Sequence, residues 1–210
     1  MRRLGSIAVV LAFVLGGGGV ALAQLDWSVS APARHRIDAA CDAYSTARGI
    51  QRYHLTRFAT VRARDLSGWK ASDPQRDDAI MNAPGFVRGE FLTIVARGPN
   101  LATTMLSASD SSGDGGIARG YCYVAGSLAR ATAEVADVSD EMAWTRTRYY
   151  AKGRMIADSL VTHDLARKRV HAPPPPPQTA LAIPVYATPA QLPYYAAFKA
   201  ARAGTLPRAR

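Results

Sequence analysis

The chain is short of the residues on which most enzyme sites are built. Of its 210 residues only two are cysteine, Cys41 and Cys122, and only three are glutamate, Glu90, Glu134 and Glu141. Two cysteines exclude a disulfide-dense miniprotein and a four-cysteine zinc centre. So few glutamates leave a paired-carboxylate glycosidase site dependent on aspartate. The histidines, His35, His54, His163 and His171, show no H-E-x-x-H or other tight metal spacing. After the N-terminal block there is no G-x-S-x-G elbow, phosphate-binding glycine loop or dinucleotide fingerprint. No constellation meets the geometric requirements of a catalytic site even in outline, and no cofactor or metal is expected. Apolar runs long enough to span a bilayer are also missing after residue 23.

What is present begins with an export signal. Arg2 and Arg3 supply a positive start, Ile7 to Leu15 an apolar run, and Ala21-Leu22-Ala23 a cleavage site, so the mature chain is expected to begin at Gln24. Gly16 to Gly19 interrupt the run and argue against an uncleaved anchor. The expected location is periplasmic or secreted, with no membrane span once the signal is removed. Export makes nucleic acid a poor partner.

Charge is unevenly placed. The formal net charge is +10, and residues 165–210 carry seven basic residues and no acidic one. Nine of the 13 prolines fall from residue 173 onward. Pro173 to Pro177 form a stiff polyproline spacer about 15 Å long. Arg167, Lys168 and Arg169 before it are candidate contacts for an anionic envelope surface or an envelope protein. Arginine outnumbers lysine 22 to 4, and GC-rich coding explains the same charge without a partner.

Periodicity gives the fold class. Ile37, Cys41 and Tyr44 recur at helical spacing among alanines, which predicts a helix over 36–48 after an extended lead-in at 24–34. Residues 52–62 are rich in β-formers. Asp73-Pro74 starts a short helix that stops before Pro84-Gly85. Strands are expected over 91–96, 101–107, 117–124, 128–138, 143–150 and 154–163, separated by turn residues. The class is α+β: an N-terminal helix packed on an antiparallel β-meander of about five to seven strands, with a Pro-rich C-terminal tail. The expected division is a signal at 1–23, one domain at 24–165, and a basic tail at 166–210. Within the tail, Pro193 precedes a short amphipathic helix bearing Tyr194, Tyr195 and Phe198.

Few residues stand out as chemistry. In an oxidising compartment Cys41 and Cys122 are expected to form a disulfide between helix and strand. Trp144, Arg146, Arg148 and Tyr150 alternate onto one strand face, where arginine and aromatics can stack on sugars and anions. If Lys152-Gly153 is a two-residue turn, Tyr149 lies opposite Ile156 and Tyr150 opposite Met155. Asp110 to Gly115 opens like a calcium loop, but position 12 is Tyr121 where a bidentate glutamate is needed, so it is read as a strand connection. Ser159, His163 and Asp164 are near in sequence, which does not make a triad. The function class left by these exclusions is an exported, non-catalytic envelope or binding protein. The alternatives are a small-ligand carrier using a concave sheet face and a small secreted hydrolase.

Overall fold

The computed structural model describes residues 27–110, 112, 115–139, 141–165 and 175–209, with only the backbone of 27–30, 45 and 110. The signal at 1–23 and the candidate contacts Arg167, Lys168 and Arg169 lie outside the described residues. The expected class is found: one N-terminal helix on an antiparallel meander, with a further helix near the C-terminus.

Helix α1 runs Trp27–Thr46, so it starts well before residue 36 and replaces the extended lead-in. Pro32 lies inside it. A proline there loses the bond to the carbonyl four residues back, which is why this stretch reads as non-helical in isolation. Its partners in the sheet outweigh that loss. Cys41 bridges to Cys122 with a Cα–Cα separation of 5.9 Å. Asp38 meets Arg130 at 2.7 Å and accepts from the Tyr149 hydroxyl at 3.2 Å. The disulfide spans 81 residues of chain, and closing a loop of that size is worth about 4–5 kcal/mol in the chain-entropy model. A formed disulfide accords with an oxidising, extracytoplasmic environment.

The sheet contains eight strands in the order β2-β1-β3-β4-β5-β6-β7-β8. Seven are long: β1 Ile50–Thr60, β3 Phe86–Arg97, β4 Asn100–Asp110, β5 Gly115–Val124, β6 Ser127–Asp137, β7 Met142–Ala151 and β8 Arg154–Asp164. The eighth, β2 Lys70–Ala71, has only two residues and no period to read. Helix α2, Pro74–Met81, begins as expected, with Asp73 accepting from the Gln75 N–H at 3.0 Å. Two-residue turns join β5 to β6 and β7 to β8. Both residues of each, Ala125-Gly126 and Lys152-Gly153, have positive φ, the signature of a type I′ hairpin. A bulge between Tyr149 and Tyr150 shifts the β7–β8 register. Tyr150 faces Met155 as expected, but Tyr149 faces Ala157, not Ile156.

Alternation divides the sheet into two covered faces. One carries α1. The other carries Leu55, Leu92, Ile94, Tyr121, Tyr123, Ala131 and Trp144, and it is here that the core sits. What covers it is the C-terminal segment: residues 175–209, placed in the tail by the sequence, dock on the sheet. Leu181, Ile183, Leu192, Tyr194 and Phe198 are buried against the sheet. A 3-10 turn, Pro189–Gln191, leads into α3, Tyr195–Arg202, whose Phe198 ring meets Tyr53 edge-on at 5.6 Å. Ala71 then bridges in parallel to Arg208, tying the chain end to β2. Large apolar side chains at 181–198 stabilise by leaving water, and this outweighs the stiffness of the prolines before them. No helix among the described residues is long and apolar enough to cross a membrane.

Candidate functional site

Residues 180–186 cross the sheet without pairing as a strand, and side chains hold their backbone. Arg119 on β5 donates to the carbonyls of Ala180 and Ala182, both at 3.3 Å. Tyr121 and Tyr123 donate through their hydroxyls to the carbonyls of Pro184 and Tyr186, each at 3.2 Å. Arg148 on β7 donates to the Ile183 carbonyl at 3.3 Å. Extended chain laid over an apolar face leaves carbonyls that need donors, and these four side chains supply them.

Where this segment meets the β1 side of the sheet, a crevice of about 210 Å³ remains. Its walls include Trp69, Tyr121, Tyr186 and Tyr194, and Arg57 and Glu90 line it as well. Arg57 and Glu90 are direct cross-strand partners, and Arg57 Nε lies 2.7 Å from Glu90 Oε2. The same guanidinium stacks over the Trp69 ring at 4.7 Å, so one face of the indole is already cationic. Trp69 meets Tyr194 edge-on at 6.4 Å, and Tyr121 meets Tyr186 edge-on at 5.3 Å. Tyr121 and Tyr194 are 4% and 2% exposed and form the deep side, while Trp69 and Tyr186 are half-buried at the opening. Burial pushes the Tyr121 and Tyr194 hydroxyls well above the ordinary phenol range. They remain protonated and act as hydrogen-bonding groups, not as bases.

Stacking rings, the guanidinium groups of Arg57 and Arg119 and a carboxylate lie within one small space. Glu90 is the one carboxylate lining it among the described residues, and Arg57 holds it. Glycosidic cleavage needs two carboxyl groups about 5–9.5 Å apart across the bond. Among the described residues no group of three His, Cys, Asp or Glu is placed to hold a metal ion.

The residues singled out from sequence fall elsewhere. Trp144, Arg146, Arg148 and Tyr150 do share a face of β7, but it is the face beneath the C-terminal segment. Trp144 and Tyr150 are buried in the core, and Arg146 and Arg148 converge on Asp158 at 2.7 and 3.1 Å. The row anchors chain and carboxylate instead of standing open. Ser159 donates to the Thr147 carbonyl at 3.3 Å, so its hydroxyl is engaged with backbone. His54 pairs with Thr93 at 3.2 Å. Of the calcium-like loop, residues 111, 113 and 114 lie outside the described residues, and Tyr121 is committed to Pro184.

Arg57, Trp69, Glu90 and Tyr186 escaped sequence reading because they come from β1, the loop after it, β3 and the C-terminal segment. The one local signal was the mixture of prolines and tyrosines at Pro184, Tyr186, Pro193 and Tyr194. Rigid prolines beside aromatics commonly build a recognition surface. No family model, curated protein or solved structure matches the chain.

Proposed function

We propose that the protein is a non-catalytic binding protein of the periplasm or the secreted fraction, and that its aromatic crevice takes one pyranose ring of an envelope saccharide. The crevice carries this reading. A sugar ring presents flat C–H faces and equatorial hydroxyls together. Trp69 and Tyr186 at the opening suit the faces, and Arg57 and Glu90 suit the hydroxyls as donor and acceptor. A space of about 210 Å³ is small and fits a single ring better than a drug-sized ligand. The lone, cation-held carboxylate favours binding over hydrolysis.

The test is titration of the purified chain with soluble neutral and uronic-acid oligosaccharides, read by tryptophan fluorescence and calorimetry. Trp69→Ala and Tyr186→Ala are each expected to weaken binding at least tenfold, a loss of about 1.4 kcal/mol. Both rings pack against the core, so the unfolding midpoint of each variant is measured alongside and lost binding counts only for folded protein. Absence of binding across the panel, or unchanged binding by both variants, overturns the reading.

A further inference from the structure

Helix α2 has an incomplete packing partner. None of its eight residues is buried, although Ala79 and Ile80 turn towards the sheet edge. Between it and the sheet lies a pocket of about 420 Å³, lined by Phe58 of β1, Phe86 of β3, Ala79 and Ile80 of α2, and Ala209. Ala209 is 5% exposed and is fixed by its N–H to the Ala71 carbonyl at 2.8 Å, so it forms a settled part of the wall. Beside the pocket, Val61 is 65% exposed, and its Cγ2 is 3.1 Å from the position of a Cβ on Gly85. An apolar space of this size, continued outward by an exposed valine, gains stability when hydrocarbon displaces water.

The charge at its edge defines the other end of the occupant. Arg76 is the one charged side chain lining the pocket among the described residues, and it is exposed. One of its nitrogens, Nη1, donates to the Ala209 carbonyl at 3.3 Å. A guanidinium has five donors, so several remain for a ligand. Lys70 adds a second cation nearby, with Nζ 5.1 Å from the centre of the Phe58 ring. Hydrocarbon walls with a guanidinium among them complement a chain that is apolar along its length and anionic at one end.

We infer that this pocket is a binding site for a free medium-chain fatty acid, its hydrocarbon against Phe58, Ile80 and Phe86 and its carboxylate on Arg76. The site is separate from the aromatic crevice and stands or falls independently of the saccharide reading. The experiment is calorimetric titration of the full chain with sodium dodecanoate below its micelle concentration, with 1-dodecanol as the uncharged counterpart. One dodecanoate is expected per chain. Ala79→Trp fills the pocket and is expected to weaken binding at least tenfold. Ala83→Leu, which also lines the pocket just past the end of α2, is the second filling variant should the first lower the unfolding midpoint. Arg76→Gln is expected to weaken dodecanoate at least fivefold while leaving dodecanol unchanged, and Arg76→Lys to restore most of the loss. No saturable binding below the micelle concentration overturns the inference. So does undiminished binding by a folded, pocket-filled variant, or an equal effect of Arg76→Gln on both ligands.

Discussion

The hydroxyl of Tyr194 lies 2.8 Å from Thr104 Oγ1, joining the C-terminal segment to β4 across 90 residues of sequence. Both groups are buried, at 2% and 4% exposure. Tyr194→Phe keeps the ring but strands the threonine hydroxyl, so it is expected to destabilise by about 1–3 kcal/mol. Adding Thr104→Val is expected to recover part of that loss, because neither orphaned group then remains. Urea unfolding of the two single variants and the double variant measures the coupling. Strict additivity would show that the pair contributes nothing specific.

Shortening the chain to end at Leu165 is expected to abolish cooperative unfolding. It removes Leu181, Ile183, Leu192 and Phe198 from the core. Full burial of each such side chain is worth about 1.5–3 kcal/mol, against a total stability of about 5–15 kcal/mol for a domain. The exposed sheet should bind a hydrophobic dye and lose its near-ultraviolet dichroism. A sharp, two-state transition in the shortened chain would contradict this placement of the core.

Asp158 sets part of the acid limit of stability. Burial acts to raise its pKa, but hydrogen bonds and charge from Arg146 and Arg148 outweigh burial and hold it below the ordinary 3.8. The unfolded chain therefore takes up this proton before the folded one does. The stabilisation is complete above the ordinary carboxylate value and fades as pH falls through the lowered folded one. Asp158→Asn should thus cost most near neutrality, and its deficit should shrink in acid. Unfolding curves across pH test this, and a deficit that stays constant would assign the cost to packing.

Arg167, Lys168 and Arg169 remain the proposed contacts for an anionic surface, since they precede the docked segment. Each basic residue near an anionic bilayer contributes about 1 kcal/mol, and salt weakens it. Changing all three to alanine is expected to reduce co-sedimentation with phosphatidylglycerol vesicles at low salt without altering the unfolding midpoint. Equal sedimentation of the variant, or sedimentation indifferent to salt, removes them from that role.

Local chemistry made the meander and the helix start at Asp73-Pro74 readable, because turn residues and period-two patterns act over a few neighbours. The disulfide was readable from compartment and count, since Cys41 and Cys122 had no other partners. What escaped depended on contacts made at a distance. Trp27 to Arg34 are helical because α1 as a whole is fastened to Arg130, Tyr149 and Cys122. The tail joins the core because Leu181 and Ile183 meet a face that exists only once the strands have paired. The candidate site escaped for the same reason: Arg57 and Glu90 are 33 residues apart and become neighbours only through the β1–β3 register.

The position of the core cover in the chain also imposes an order in time. During synthesis the sheet strands emerge first, with one face lacking its apolar lid, and closure waits for Phe198. The contacts that complete the domain, such as Tyr53 with Phe198, are among the most distant in sequence. Distant contacts form slowly, because the entropy of closing long loops is lost before the contacts repay it. One face of the sheet therefore stays uncovered until the segment through Phe198 is available to close it.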